Sequence, residues 1–291
     1  MSKTAFVFPG QGSQSVGMLD ALTDYSEITA TFEQANDVLG QDLLTMVNSG
    51  PVDDLNQTQW TQPALLAASV GVYQAVANRS DFQVDVMAGH SLGEYSALVC
   101  AGVMSFEQAI KLVHLRGQYM QQAVPAGTGS MAAVLGLEPV DVEAACEETP
   151  GVVSAANYNS PGQIVIAGEK SAVEAASVLC ADKGAKKVMP LAVSVPSHCA
   201  LMKPAAEQLS EDLHHIDWQE AKIDVIHNFD VMVHSDIDAI KKALMSQLYS
   251  PVRWTETMQK LQQMSVVTIA ECGPGKVLSG LFKRLDRSLS V

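Results

Sequence analysis

One short segment, DVMAGHSLGEYSALVC at residues 85–100, restricts the possible fold more than any other part of the chain. Its apolar start predicts a buried strand, and the residues from Leu92 onward predict a helix. Between them, Gly89 and Gly93 flank Ser91, and glycines permit a crowded backbone at such a point. A strand, a tight turn and a helix around G-x-S-x-G are typical of the turn that exposes a nucleophilic serine. The pentapeptide also occurs by chance in ordinary turns.

Apolar strands alternate with helical patterns elsewhere in the chain. TAFVFPG at residues 4–10 predicts a buried strand ended by a Pro-Gly break, and TQPALLAASVGVYQAVANR at residues 61–79 predicts a long helix. Such alternation predicts an α/β fold with a largely parallel sheet. The glycine-rich GQGSQSVG after the first strand does not complete a dinucleotide-binding fingerprint, because the third required glycine would fall at Ser15.

The pattern changes between residues 125 and 196. Here the sequence predicts the order strand, helix, strand, strand, helix, strand, which is the βαββαβ order of ferredoxin-like domains. We therefore predict a large, discontinuous α/β catalytic domain made of residues 1–124 and 197–291. It would carry an inserted ferredoxin-like subdomain made of residues 125–196.

Charge and cysteine content narrow the classes of partner and compartment. The 291 residues include 18 Lys and Arg against 32 Asp and Glu, and the formal net charge of −14 would repel nucleic acid. The five cysteines include no C-x-x-C pair, so neither a disulfide framework nor a zinc site is indicated. No secretory signal or membrane-length apolar run is evident. We expect a cytoplasmic protein that binds no nucleic acid, membrane or metal.

A nucleophilic serine needs a base, and His198 is the strongest candidate among the seven histidines. It follows an extended apolar run that Pro196 interrupts, where a polar side chain can emerge at a strand end. His90 adjoins Ser91, but neighbours on a tight turn point in different directions. Cys199 is discounted as a partner for His198, since adjacent residues of an extended segment point to opposite sides. The alternative is a histidine that is merely hydrogen-bonded within a loop.

Arg116 lies on an apolar stripe of a predicted helix. Ser105 has the position of an N-terminal cap, and the helical repeat places Arg116 on the same face as Ala109 and Val113. Burying a guanidinium without a partner costs several kcal/mol, so an anion is expected beside it. That anion could be a structural carboxylate such as Glu94 or the carboxylate of a substrate. Alternatively, the arginine could extend to solvent at the edge of the stripe.

Further motifs occur in a fixed order around these residues. FPGQGSQ precedes the serine segment, and NYNSPGQIVIAG, SVPSHCALMKPA, QLYSPVRW and ECGPGKVLSGL follow the helix of Arg116. Together they closely resemble the bacterial malonyl-CoA:acyl carrier protein transacylases of type II fatty acid synthesis, from residue 4 to about residue 284. The resemblance implies a hydrolase-like α/β core with a parallel sheet and an inserted ferredoxin-like subdomain.

The resemblance also implies a ping-pong transfer. Ser91 would attack the malonyl thioester of malonyl-CoA, and the phosphopantetheine thiol of holo acyl carrier protein would then take the malonyl group from the serine ester. His198 would act first as general base and then as general acid. Malonyl-CoA and holo acyl carrier protein are the expected partners, and no cofactor is expected beyond these thioester substrates.

Other family positions carry over to single residues of this chain. The backbone N–H groups of Gln11 and Leu92 correspond to the oxyanion hole. Arg116 corresponds to the clamp for the free carboxylate of malonate, in line with its place on the apolar stripe. Gln62 and Asn159 correspond to positions that line the channel for substrate and coenzyme.

The family departs from a Ser-His-Asp triad because no acid orients the histidine. A main-chain carbonyl near Gln247 takes that place. His227 and Cys272 differ from the residues that are common at their positions in relatives, and neither is expected to take part in the chemistry.

Acyl carrier proteins are strongly acidic, so docking one on this acidic chain would require a local basic patch. Two clusters of basic residues are candidates for that patch, although most such residues are merely solvated surface. They are Lys183, Lys186 and Lys187, and near the C-terminus Lys276, Lys283, Arg284 and Arg287.

Three other functions remain open at this point. A serine esterase or thioesterase would share Ser91 and His198 but would not need Arg116 on an inward face. A scaffold that binds carrier protein would form no acyl adduct on Ser91. A transacylase of a polyketide or polyunsaturated lipid pathway would use the same core.

Overall fold

The computed structural model describes residues 3–79, 83–193, 195–286 and 290. These residues form two four-stranded sheets. The first sheet is parallel and has the strand order β7-β2-β1-β8. Its strands are β1 (Lys3–Phe8), β2 (Val86–Gly89), β7 (Asp224–Ile226) and β8 (Val266–Glu271). The second sheet consists of β3 (Gly129–Leu135), β4 (Val153–Ser160), β5 (Gln163–Glu169) and β6 (Lys187–Pro190).

Helices connect and cover both sheets. Those before the second sheet are α1 (Ser26–Leu39), α2 (Leu43–Ser49), α3 (Val52–Leu55), α4 (Thr58–Ala77), α5 (Gly93–Cys100) and α6 (Phe106–Ala123). Within the second sheet region are α7 (Pro139–Glu147) and α8 (Lys170–Asp182), and after it α9 (Lys203–Leu213), α10 (Ile237–Tyr249), α11 (Trp254–Gln263) and α12 (Val277–Leu285). Short 3-10 turns lie at Asp20–Leu22 and Ala200–Met202. Across the described ranges, no helix combines the length and apolarity needed to cross a membrane.

Both faces of the parallel sheet are buried, which explains the continuous apolar runs of its strands. Phe6 and Phe8 of β1 face the larger core cluster. The alternate residues Ala5 and Val7 face the opposite cluster, where Trp254 of α11 packs. This alternation is the two-residue period of an extended strand.

The parallel crossover from β1 to β2 positions the reactive turn. Phe8 pairs with Gly89, so β1 and β2 end side by side. The loop that carries Gln11 and the turn that carries Ser91 therefore emerge at the same edge of the sheet. Ligands of open α/β sheets bind at this carboxyl edge.

The second sheet has the antiparallel order β4-β5-β3-β6. This is the order of a ferredoxin-like βαββαβ unit, with α7 and α8 packed on one face. The predicted fold class is confirmed. The domain boundaries at residues 125 and 196 remain a prediction.

The face of the second sheet opposite α7 and α8 is buried and is directed toward the reactive turn. Met131 and Val165 lie on this face in a small cluster with Cys199. The sheet is tied to the rest of the chain through β4, since Tyr158 N donates to Val252 O over 2.9 Å and Val252 N donates to Ala156 O over 2.9 Å. This pairing fixes where the end of β4 lies relative to Ser91.

Candidate active site

Ser91 occupies a strained turn between β2 and α5. Its φ is 52°, in the left-handed region that non-glycine residues seldom adopt. The flanking glycines are needed for close packing. A Cβ on Gly89 would lie 1.9 Å from the carbonyl carbon of Gly93, and a Cβ on Gly93 would lie 2.0 Å from Phe8 O. The turn predicted from G-x-S-x-G therefore has the backbone of a nucleophile elbow.

The structure brings His198 to Ser91 across 107 residues of sequence. His198 Nε2 lies 2.7 Å from Ser91 Oγ. On the other side of the ring, His198 Nδ1 lies 2.7 Å from the backbone carbonyl oxygen of Gln247. A carbonyl oxygen can only accept, so Nδ1 carries the proton and the Nε2 lone pair faces the serine O–H. This tautomer is the one that a general base requires.

Burial keeps the His198 ring neutral. Desolvation is the largest cause and the charge of Arg116 the next, and together they lower the pKa of His198 to about 3. The adjacent Cys199 is no competing nucleophile, because burial raises the pKa of its thiol to about 11 and its Sγ donates to Pro196 O. The imidazole is thus ready to accept a proton at neutral pH.

Arg116 is fully inside the protein, and its side chain is only 1% exposed. Its Nη1 donates to Gln62 Oε1 over 2.7 Å, and its Nη2 donates to Gln247 Oε1 over 2.9 Å. Nη2 also lies 3.3 Å from Ser91 Oγ. The guanidinium packs over the ring of Tyr95 at 5.4 Å. The interpretation that Arg116 extends to solvent is therefore wrong.

The contacts of Arg116 hold its charge in place without cancelling it. Both amide oxygens that accept from it are neutral. Glu94 does not bond to the guanidinium, and its carboxylate is separated from it by the side chain of Gln247. A cation held by neutral acceptors beside a nucleophile can bind the carboxylate of a ligand.

Gln62 reaches Arg116 because α4 and α6 approach closely. A Cβ on Gly117 of α6 would lie 2.5 Å from the Cα of Gln59 in α4. Pro63 has no N–H, so the carbonyl of Gln59 lacks its usual helical donor, and His114 Nδ1 lies 2.9 Å from it instead. A side chain of α6 thus supplies the hydrogen-bond donor that the Gln59 carbonyl of α4 lacks.

Gln11 and Leu92 line the same cavity as Ser91. Gly10 makes the approach possible, since a Cβ there would lie 2.4 Å from His90 O. Among the described residues, no protein acceptor is bonded to the N–H of Gln11 or of Leu92. The N–H of Ser91 itself is occupied by Asn228 Oδ1 at 2.7 Å. The two N–H groups predicted for the oxyanion hole are thus left available for a ligand.

A cavity of about 150 Å³ unites these groups. The polar lining of the cavity includes Gln11, His90, Ser91, Arg116, Asn159 and His198, and its apolar lining includes Met120, Met131, Val165, Leu191 and Val195. His90 does not contact His198; its Nε2 lies 2.8 Å from Asn159 Oδ1. Gln62 and Gln247 lie directly behind Arg116. All the predicted site residues therefore gather at one place.

Of two residues beneath the serine, sequence reasoning missed Asn228 and considered Glu94 only as a direct partner for Arg116. Asn228 accepts from Ser91 N and donates through Nδ2 to Gly89 O over 2.7 Å, which bridges both sides of the strained turn. Glu94 is fully buried and accepts from His227 Nδ1 at 2.7 Å and from Asn228 N at 2.9 Å. An acid inside a helix as apolar as α5 is itself a signal of buried partners. The part of the chain that the structure describes holds no cluster of possible metal ligands.

Comparison with known proteins identifies the family. A family model described as "Acyl transferase domain" matches residues 5–284. The chain belongs to this family. The acyltransferase is 58% identical to the malonyl CoA-acyl carrier protein transacylase of Haemophilus influenzae over 295 residues, covering 100% of this chain and 95% of the relative. It is 51% identical to the protein of that name from Escherichia coli K12, over 294 residues that cover 100% and 95% of the two chains.

Solved structures agree with this assignment. The acyltransferase matches an acyl carrier protein S-malonyltransferase from Vibrio cholerae with a TM-score of 0.96 and 56% identity, covering 99% of this chain and 95% of the other. It matches the enzyme chain of a complex described as a type II PKS acyl-carrier protein with its malonyl-transacylase, with a TM-score of 0.97 and 52% identity, covering 99% and 94% of the two chains.

Proposed function

We propose that this acyltransferase transfers the malonyl group from malonyl-CoA to the phosphopantetheine thiol of holo acyl carrier protein through a malonyl ester on Ser91. The transfer would supply extender units for fatty acid synthesis. The enzyme would work in the cytoplasm and would need no cofactor beyond its two thioester substrates.

The first half-reaction forms the ester. Ser91 Oγ attacks the thioester carbonyl carbon of malonyl-CoA while His198 Nε2 takes the hydroxyl proton over the 2.7 Å contact. The tetrahedral oxyanion accepts hydrogen bonds from the N–H groups of Gln11 and Leu92, and the N-terminus of α5 favours its charge. When the intermediate collapses, the C–S bond breaks and the imidazolium returns the proton to the leaving thiolate, which departs as coenzyme A.

The second half-reaction reverses these roles. The thiol of the carrier protein gives its proton to His198, and its sulfur attacks the ester carbonyl. The ester C–O bond then breaks, Ser91 Oγ recovers the proton from the imidazolium, and malonyl carrier protein leaves. The Gln247 carbonyl holds the ring through Nδ1–H in both halves. It offers a neutral acceptor where a triad has a carboxylate.

One observation carries the proposal. A buried guanidinium and a neutral imidazole both contact the same serine oxygen, at 3.3 Å and 2.7 Å. An acyl group attached to that oxygen by one end and bearing a carboxylate at the other fits this pair of contacts. A simple esterase has no use for the cation.

The carrier protein is proposed to dock on exposed basic side chains. Lys186 and Lys187 are exposed at the edge of the second sheet, whereas Lys183 is engaged with Glu148 at 2.9 Å. In the C-terminal cluster, Lys276 and Lys283 are exposed, Arg284 bonds to Gln163, and Arg287 lies outside the described residues.

Mass spectrometry tests the proposed reaction. After incubation with malonyl-CoA, the intact enzyme should gain one malonyl group, and peptide mapping should locate it on Ser91. Addition of holo acyl carrier protein should remove the adduct much faster than buffer alone. The Ser91→Ala variant should remain unmodified. An adduct on another residue, or an equally fast loss to water, would contradict the proposal.

A further inference from the structure

Glu94 is a buried acid to which the mechanism above gives no role. Its side chain has no exposed surface. Oε1 accepts from His227 Nδ1 at 2.7 Å, and Oε2 accepts from Asn228 N and Gln247 Nε2, each at 2.9 Å. A carboxylate buried this deeply is stabilised by its donors, and those donors are in turn held in place.

The side-chain amide of Gln247 has only one orientation compatible with its neighbours. Its Nε2 donates to Glu94 Oε2 at 2.9 Å and to Ser91 O at 3.0 Å, and both partners can only accept. Its Oε1 therefore faces the Nη2 of Arg116 at 2.9 Å. A flipped amide would direct N–H groups at the guanidinium N–H groups, with donors facing donors.

The charge environment of Arg116 also indicates a role for Glu94. Arg116 bonds to neutral oxygens from Gln62, Gln247 and Ser91, so its buried charge has no carboxylate in direct contact. Burial lowers the pKa of Arg116, and the charge of the Glu94 carboxylate, which lies one amide away, opposes that shift. Removing the carboxylate would leave the Ser91 carbonyl as the one acceptor that still holds the Gln247 N–H₂ group, so the amide and the guanidinium bonded to it would be less firmly held.

We infer that Glu94 is a positioning residue that orients the Gln247 amide and, through it, holds Arg116 where it can grip the free carboxylate of the acyl group. The inference rests on the proposed function, because it concerns the selectivity of that same site. Acetyl transfer makes no use of the clamp. Glu94 therefore affects malonyl transfer far more than acetyl transfer.

The test compares kcat/KM for malonyl-CoA and acetyl-CoA in purified full-length variants. Glu94→Ala should lower the malonyl-to-acetyl ratio at least tenfold. Glu94→Gln should keep the ratio within threefold, because its amide oxygen can still accept from Gln247 while its N–H₂ donates to the other tautomer of His227. An unchanged ratio in Glu94→Ala, or a loss in Glu94→Gln as large as that in Glu94→Ala, would overturn the inference.

A second variant covers the case in which Glu94→Ala does not fold. Gln247→Met keeps the backbone carbonyl that orients His198 but removes the amide, so it should lower the ratio at least tenfold. In the double variant that combines Glu94→Ala with Gln247→Met, the malonyl-to-acetyl ratio should be no lower than in Gln247→Met alone. A preserved ratio in Gln247→Met, or additive losses in the double variant, would show that Glu94 does not act through this amide.

A matched control separates positioning from general destabilisation. Thr31 is buried between α1 and α4, away from the cavity, and its single hydroxyl proton lies within reach of Ile28 O at 2.8 Å and Ala67 O at 3.1 Å. Thr31→Val should lower the melting temperature without changing the ratio. If the wild-type enzyme itself shows no preference for malonyl-CoA, the proposed function fails. If that preference exists and persists in Glu94→Ala, only the role of Glu94 fails.

Discussion

Replacing Arg116 by Ala tests the carboxylate clamp. Truncating one partner of a buried, hydrogen-bonded charge pair costs about 2–5 kcal/mol. At about 1.4 kcal/mol per tenfold change, this corresponds to roughly a 30-fold to several thousand-fold loss of kcat/KM for malonyl-CoA. Three of the five guanidinium N–H donors already bond to Gln62, Gln247 and Ser91, which leaves at most two for the substrate carboxylate. We therefore expect the lower part of that range, about 30- to 300-fold.

Acetyl-CoA provides the internal reference for this variant. Its acyl group has no free carboxylate, so it loses only the 3.3 Å contact between Arg116 and Ser91 Oγ. An ordinary hydrogen bond is worth about 1 kcal/mol, which predicts a loss of about fivefold. Arg116→Met keeps more of the side-chain volume over Tyr95 and should show the same split. The assay is initial-rate transfer to holo acyl carrier protein, with melting temperatures to verify folding. Equal losses for both thioesters would refute the clamp.

Three further perturbations follow from the geometry. Because burial lowers the pKa of His198 from 6.5 to about 3, kcat/KM should show no acid limb near pH 6.5, and a limb centred there in a pH-rate profile would contradict the neutral buried base. The lowered pKa also sets how stability depends on pH. Between pH 6.5 and pH 3 the unfolded protein binds a proton at His198 that the folded protein does not bind. The contribution of His198 to the free energy of unfolding is therefore complete above pH 6.5 and decreases as the pH falls toward 3. Gly93→Ala should abolish soluble expression or lower the melting temperature by many degrees, because the new methyl would meet Phe8 O, and a variant of wild-type stability would mean that the turn is not as tight as described. Lys186→Glu with Lys187→Glu should raise the KM for carrier protein and leave the KM for malonyl-CoA unchanged, whereas an unchanged carrier-protein KM and salt dependence would remove this patch from the docking surface.

Local patterns predicted the parts of the site that depend on nearby residues. The strand, turn and helix around Ser91 follow from two glycines and an apolar run. The inward direction of Arg116 follows from the helical repeat of α6, and Ser105 caps that helix by accepting from Gln108 N. The βαββαβ order could be predicted because apolar residues recur at different spacings in strands and in helices. Motif resemblance supplied Gln11, Leu92 and the Gln247 carbonyl.

The remaining contacts join residues that are far apart in sequence, and no periodicity indicates them. Asn228 meets Ser91 across 137 residues, and β7, which leads to it, has only three residues. Glu94 was considered as a direct partner for Arg116, but the Gln247 side chain stands between them. His227, expected to play no part in the chemistry, does not touch Ser91, but it bonds to Glu94. These partners are determined by tertiary packing.

A crystal structure of the enzyme trapped with malonyl-CoA, without carrier protein, tests the central claim most directly. It should show an ester on Ser91 Oγ, its carbonyl oxygen within hydrogen-bond distance of the N–H groups of Gln11 and Leu92. The free carboxylate of the acyl group should lie against the guanidinium of Arg116. An acyl group on a different residue, or a carboxylate directed to solvent with Arg116 still bonded only to Gln62 and Gln247, would contradict the account.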